Sequence, residues 1–168
     1  MREIGVSPQR IIWIGGLPEE SRYFAAKRLG ALFEAEPSTI DSVCTAGYLL
    51  HLLTVSHGSF GMLGGTFLPD KTGVLAIEVA VSDSDRNGLP FDIARSVFDT
   101  LCESAETAHP EITRLGSGTL RIDHAMYHEV DSVVQGYTHR VLPILLRLLR
   151  PGLEAATDQE IIELTNVR

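Results

Sequence analysis

The sequence predicts a mixed α/β protein of the α+β type. Short apolar runs rich in β-branched residues alternate with longer segments whose apolar residues recur at helical spacing, as expected when helices pack on a sheet. The chain has 168 residues, of which 44% are hydrophobic and 21% charged, enough for one substantial core and short for two full domains. We therefore expect a single domain over 1–168, a two-layer sandwich in which helices cover one face of a mixed sheet of about four or more strands.

The first 55 residues predict a strand and helix that extend this core. The run 10–16 (RIIWIGG) is rich in β-branched residues and ends at two glycines. The segment 17–36 begins with acidic residues and continues with good helix formers, which predicts a helix. The run 47–55 (GYLLHLLTV) is apolar except for His51. We interpret it as a buried strand, although its length also suits a helix.

The central part predicts a glycine-rich loop, a strand and a helix. The segment 56–65 (SHGSFGMLGG) carries four glycines, which indicates a loop or a bulged strand with positive φ or a close backbone approach. The β-branched run 73–81 (GVLAIEVAV) predicts a well-buried strand. Apolar residues then recur at helical spacing over 91–102, and Pro90 suits the first turn of that helix.

The last part predicts a strand, a polar segment and a long helix. The run 119–125 (TLRIDHA) alternates apolar and polar residues, as a half-buried strand does. The Asp-Ser pair at 131–132 is placed to cap a helix whose apolar stripe covers 133–149 and which Pro143 should bend. The tail 151–168 adds a short helix. A basic cluster of three arginines near the end of the long helix suits its C-terminus; its members are Arg140, Arg147 and Arg150.

The polar segment 121–132 (RIDHAMYHEVDS) carries two histidines, His124 and His128, with carboxylates beside them, Asp123 and Glu129 among them. Imidazole titrates near neutral pH and a carboxylate can fix its tautomer, so these residues can perform acid–base chemistry. The alternative is a strand end followed by a helix cap with exposed histidines. The histidines straddle a predicted strand end and do not lie on one helix, so we expect no metal site.

The unbroken run 127–132 (YHEVDS), between a strand and an apolar helix, resembles a segment of domain IV of translation elongation factor G and of tetracycline-type ribosomal protection proteins. The segment HGSFGML is similar to the G-x-Y-G turn of that family, with Gly58, Phe60 and Gly61 in the corresponding places. The resemblance covers about 56–150. It implies a ribosomal protein S5 domain 2-like fold, with about four strands and two helices on one face.

The resemblance also implies that the two histidine-bearing loops meet at one end of the sheet. His57 and Ser59 would then join His124 and His128 in a shared pocket. The candidate catalytic groups are the three histidines with Asp123 and Glu129. No GxxxxGK[ST] phosphate loop occurs in the chain, so the GTPase part of those factors is absent. We expect no cofactor.

Charge and hydropathy bear on partners and location. The formal net charge is −8, from 22 acidic and 14 basic residues of which only two are lysines, which argues against nucleic-acid binding except through the ribosome. No apolar run reaches the roughly 18 residues that cross a bilayer, and no secretory signal is visible, so we expect a cytoplasmic protein without membrane contact. Cys44 and Cys102 lie in apolar surroundings typical of core thiols.

Three functions remain open at this point. The first is a protein- or peptide-binding module, with a homodimer as one form of it. The second is a small nucleotide-independent lyase, isomerase or cyclase that uses the histidine loops on a small-molecule ligand. The third is a ribosome- or RNA-associated accessory factor. An exposed apolar face favours the module, and a cleft around a histidine favours the enzyme.

Overall fold

The structure is a computed structural model, and it describes residues 1–7, 9–53, 58–83, 88–128 and 132–166. Seven strands form one mixed sheet: β1 (Arg2–Ser7), β2 (Arg10–Ile14), β3 (Ala25–Glu34), β4 (Cys44–Leu53), β5 (Gly58–Pro69), β6 (Val74–Ser82) and β7 (Gly118–Met126). The α-helices are α1 (Phe91–Glu106), α2 (Pro110–Thr113), α3 (Leu142–Leu148) and α4 (Asp158–Leu164). The predicted α+β class is confirmed.

The strand order across the sheet is β1-β2-β4-β5-β7-β6-β3. Neighbouring strands run antiparallel except for β6 and β7, which are parallel and are joined through α1. This crossover places the start of α1 and the carboxyl ends of β6 and β7 at the same end of the sheet. The N-terminal strands β1, β2 and β4 extend the sheet on one side, and β3 extends it on the other.

The helices cover one face of the sheet, where the main core lies. Strand residues at alternate positions point into this core, as the two-residue period of a strand requires. On β6, for example, Leu75, Ile77 and Val79 are almost fully buried. The buried side chains of α1 and α3 belong to the same cluster. The predicted two-layer arrangement with helices on one face is therefore present.

The opposite face of the sheet, called here the open face, carries a smaller apolar cluster around Trp13, Leu49 and Met62. Leu17 lies over this face so closely that a Cβ atom on Gly64 would be 2.7 Å from its Cδ2 atom. The glycine-rich segment 56–65 was expected to be a loop or a bulged strand, and its described part belongs to the regular strand β5. Its glycines let neighbouring side chains approach the strand.

The predicted helix over 17–36 is wrong. After a 3₁₀ turn at Glu19–Ser21 the segment forms strand β3, which pairs antiparallel with β6. Leu29 and Phe33 alternate with exposed neighbours and pack against the main core. Pairing with a distant strand has overridden the helix propensity of these residues, as tertiary context often does.

The polar segment after β7 also differs from expectation. The Ser132 hydroxyl does not cap a helix: it accepts the backbone N–H of His128 at 2.8 Å and donates to the Phe60 carbonyl at 2.8 Å, while Asp131 lies outside the described residues. The predicted long helix begins instead with a π-helical turn, Gly136–Val141, which continues into α3 with a proline in its first turn. Among the described residues, no helix has both the length and the apolarity to cross a membrane.

Candidate functional site

A cleft opens at the carboxyl ends of the parallel strands β6 and β7. The two strands pair only as far as Val79 and Ile122. Beyond that point the chain that leads into β3 enters between them: Arg22 forms a backbone bridge with His124, and the Tyr23 hydroxyl donates to the Ala80 carbonyl at 2.7 Å. Ligands of open α/β sheets bind in crevices at the carboxyl ends of parallel strands, so this cleft is the candidate functional site.

A β-bulge in β7 shapes the side of the cleft. Gly64 of β5 pairs with His124, but Gly65 pairs with Ile122, so Asp123 is an extra residue between two paired positions. A bulge bends its strand and changes the direction of the side chain it carries, and bulges are frequent beside active sites. The bulge turns Asp123 toward the cleft that His124 also lines.

Asp123 and His124 form a hydrogen-bonded pair in this cleft. The Asp123 Oδ1 atom lies 2.9 Å from the His124 Nδ1 atom, and the two side chains are 28% and 22% exposed. A carboxylate that accepts the Nδ1 proton leaves Nε2 as the free nitrogen of a neutral ring. The pair is therefore arranged as an oriented base that is still accessible to a ligand.

The cleft has a volume of about 540 Å³. Its lining residues are Glu19, Arg22, Tyr23, Phe24, Ala25, Arg28, Ala80, Asp123 and His124. Neither arginine forms an ion pair with any described residue, so their charges are available to a ligand. Burial raises the pKa of the Tyr23 phenol well above its usual range, which keeps this hydroxyl protonated at neutral pH.

The structure does not bring all of the predicted catalytic residues together. Asp123 and His124 line the cleft, whereas His128 lies past the end of β7 with its ring edge toward Phe60, at a centroid distance of 6.3 Å. His57 and Glu129 lie outside the described residues. The shared histidine pocket therefore stays a prediction, and the cleft is built instead around Asp123 and His124.

Sequence reasoning missed the arginine side of the cleft. Arg22 and Arg28 stand in the segment that was predicted to be a helix, where they had no reason to approach His124. The two-residue alternation of Leu29, Ala31 and Phe33 is the signal that could have identified β3. The bridge between Arg22 and His124 joins residues far apart in the chain, and no local pattern indicates it.

One edge of the sheet adjoins this cleft. β3 pairs with β6 along one side, and no described strand pairs with its other side. This free side of β3 is called the β3 edge. Phe24 and Leu32 beside it are 82% and 73% exposed. Phe24 and Ala25 also line the cleft, so the β3 edge begins where the cleft ends.

The described residues contain no group of three or more His, Cys, Asp or Glu side chains placed to hold a metal ion. No family model, curated protein or solved structure matches the chain.

Proposed function

We propose that this chain is a stand-alone, non-catalytic binding module, similar to domain IV of elongation factor G and without its GTPase, that binds an extended acidic segment of a protein partner. The segment adds to the sheet as a further strand along the β3 edge. The observation that carries this proposal is the long, exposed and unpaired side of β3. The YHEVDS-like run and the strand, helix, strand order of β6, α1 and β7 support the family resemblance.

The β3 edge has the length that strand addition needs. β3 contains ten residues, which corresponds to roughly 33 Å of extended chain. A free strand edge exposes backbone N–H and C=O groups to a new strand, and long edge strands are normally shielded. Both edge strands have one irregular register, at Gly5 to Ser7 in β1 and at Ala25 to Lys27 in β3, but β1 is only six residues long. β3 is therefore the better docking edge.

The charged residues near the start of β3 indicate that the partner segment is acidic. Lys27 and Arg28 lie near the start of β3, and Arg22 lies just before it. The Glu19 and Asp123 carboxylates line the same cleft as Arg22 and Arg28, but the start of β3 itself has two cations and no carboxylate. Lys27 lies over the Phe91 ring at 4.4 Å, on the helix-covered face, while Arg28 lines the cleft. A segment with acidic side chains on both faces would meet a cation on each side.

Apolar contact supplies the rest of the interaction. Among the described residues, Phe24 just before β3 is the most exposed large hydrophobic residue, and Leu32 near the end of β3 is exceeded only by Phe24 and Met1. An added strand would cover Leu32 with side chains at alternate positions. We therefore expect the partner segment to carry acidic residues where it pairs with the start of β3 and β-branched residues where it pairs with Leu32.

The test uses fluorescently labelled ten-residue peptides that join a block of Glu to a block of Val, in both orders so that parallel and antiparallel addition are both sampled. Peptides with Lys in place of Glu are the charge control. Fluorescence anisotropy measures affinity, and hydrogen exchange measures protection of the β3 amides. We expect Arg28→Glu to weaken binding of the acidic peptide by about tenfold or more. Arg95→Glu, an equal charge reversal on exposed α1, should leave binding unchanged.

Three results would contradict the proposal. Binding without protection of the β3 amides would place the peptide elsewhere. Equal losses in the Arg28 and Arg95 variants would show only a general charge effect. A dimer in sedimentation experiments, with β3 protected in the absence of peptide, would make a second copy of this chain the occupant of the edge.

A second candidate function is acid–base catalysis in the cleft, and the Asp123–His124 hydrogen bond favours it. If this alternative holds, the ring should carry its proton on Nδ1, and small molecules should bind next to Nε2. Long-range proton–nitrogen NMR spectra report the tautomer, and a fragment screen by saturation-transfer NMR reports binding. Asp123→Asn should change the tautomer populations, and His124→Gln should weaken fragments that bind the cleft. A wild-type ring protonated on Nε2 would refute the alternative.

A further inference from the structure

A second cavity, of about 370 Å³, lies on the helix-covered face and shares no described lining residue with the cleft. The π-helical turn, α3, strands β2 and β4, and the end of α4 surround it. Its lining residues are Arg10, Tyr48, Leu50, His139, Arg140, Ile144, Thr165 and Asn166. We propose that this cavity is a binding site for the phosphate group of a small molecule, independent of the β3 edge and of the function proposed for it.

The charge of the lining residues supports an anionic ligand. Arg10 and Arg140 carry permanent positive charges, and His139 adds a third when it is protonated. No carboxylate is among the described lining residues, although the chain as a whole has a net charge of −8. The described lining is therefore positively charged, which favours a negative ligand at this place on the molecule.

Arg140 differs from the two other arginines of the basic cluster predicted near the helix end. Arg147 is directed to the backbone carbonyls of Leu164 and Asn166, and Arg150 lies 3.7 Å from the Glu111 carboxylate. Arg140 is exposed and forms no ion pair with a described residue. Two members of the cluster therefore stabilise the protein itself, and the third is available to a ligand.

The hydroxyl groups of the cavity provide further donors. Tyr48 is 3% exposed. Burial raises the pKa of its phenol, and a hydrogen bond with Arg10 opposes this effect. The Tyr48 hydroxyl therefore stays protonated at neutral pH and can donate. Arg10 reaches the Thr165 hydroxyl at 3.4 Å, which is long for a hydrogen bond, so its guanidinium group keeps donors for a ligand.

The backbone at the cavity has an uncommon geometry. π-helical turns are rare and are frequently found at functional sites. In Gly136–Val141 the turn buries Tyr137 and Val141 in the core, while His139 and Arg140 stay exposed at the cavity. The turn thus places two basic residues beside Arg10 of the neighbouring strand.

Phosphate matches these groups better than carboxylate does. A phosphate monoester carries about 1.5 to 2 negative charges near neutral pH and presents three strong acceptor oxygens. Two guanidinium groups can each donate a pair of hydrogen bonds to such oxygens. The cavity is larger than one phosphate group, so the rest of a small phosphorylated molecule would lie along Leu50 and Ile144.

The test is a phosphorus-31 NMR and calorimetric titration of the full chain with inorganic phosphate and with pyrophosphate at constant ionic strength, and with acetate as the carboxylate control. We expect saturable binding of the phosphates and none of acetate. Arg140→Gln should weaken phosphate binding by about tenfold or more, since it removes charge-assisted hydrogen bonds. Arg95→Gln removes the same group from exposed α1, outside the lining of this cavity, and should have no effect.

Tyr48→Phe provides a second variant, which should weaken binding less than Arg140→Gln does. The thermal unfolding midpoint of each variant shows whether it is folded. The proposal is overturned if phosphate does not saturate, if acetate binds equally well, or if Arg140→Gln folds and binds as the wild type does. Equal losses in Arg140→Gln and Arg95→Gln would also overturn it, because they would indicate nonspecific attraction.

Discussion

Replacing Tyr23 by Phe tests the hydrogen bond that joins the chain before β3 to strand β6. The substitution keeps the ring and removes the hydroxyl group that donates to the Ala80 carbonyl at 2.7 Å. A hydrogen bond of this kind contributes about 0.5 to 1.5 kcal/mol to the free energy of unfolding. At pH 8 we therefore expect Tyr23→Phe to be about 1 kcal/mol less stable than the wild type.

The difference in the free energy of unfolding between Tyr23→Phe and the wild type should disappear at high pH. Burial raises the pKa of Tyr23 in the folded protein, so above about pH 10 the unfolded chain releases this proton while the folded chain keeps it. Ionisation then favours the unfolded state, and at pH 11 the wild type loses about 1.4 kcal/mol through this group. Tyr23→Phe has no such group. The stability difference should therefore shrink to near zero at pH 11, or reverse.

The assay is urea unfolding followed by the fluorescence of Trp13, the only tryptophan, which is 3% exposed. It is repeated at pH 8, 9.5 and 11. Ser21→Ala is the matched control, because it removes a buried hydrogen bond from the Ser21 hydroxyl to the Pro18 carbonyl without removing an ionisable phenol. Its cost should be the same at each pH. A difference between Tyr23→Phe and the wild type that stays constant from pH 8 to 11 would refute the reasoning.

Two other predictions concern packing and thiol chemistry. Gly65→Ala places a methyl group 2.5 Å from the Arg121 carbonyl oxygen, a backbone atom that cannot rotate away, so it should lower the free energy of unfolding by about 1 to 3 kcal/mol. An unchanged urea midpoint would show that β7 can shift to make room. Burial raises the pKa of both thiols, but Cys44 is 5% exposed and Cys102 is partly exposed. A disulfide reagent at pH 8 should therefore modify Cys102 first. The variant Cys44→Ser, which keeps Cys102, should react faster than Cys102→Ser, and the reverse order would contradict the prediction.

The sequence was informative where a local pattern matched the final packing. The alternation in 119–125 predicted β7, and helical spacing over 91–102 predicted α1, because each element buries one side against the same core. The prediction of a helix over 17–36 was wrong because the residues of this segment favour a helix locally. Its strand state depends on pairing with β6, whose residues come some 50 positions later, and local propensity carries no information about such a partner.

In the candidate site, too, the sequence indicated some residues and could not indicate their arrangement. Asp123 and His124 were found because titratable residues next to a strand end are visible in a sequence. The bulge that directs Asp123 depends on the register between β5 and β7, and the position of Arg22 depends on a bridge to β7. Both are properties of strand pairing. The sequence could therefore predict that Asp123 and His124 are candidate site residues, but it could not predict the geometry of the cleft.

The cleft and the β3 edge are physically connected, and this connection separates the two proposed functions. Phe24 and Ala25 line the cleft, and Ala25 begins β3, so a strand added along the β3 edge would bring one of its ends to the rim of the cleft that His124 also lines. If the cleft is part of the binding surface, the acidic peptide should shift the ring signals of His124 in NMR spectra, and Arg28→Glu should abolish the shift together with the binding. If the cleft is a separate reaction site, the peptide should bind without moving those signals, and only small molecules should move them.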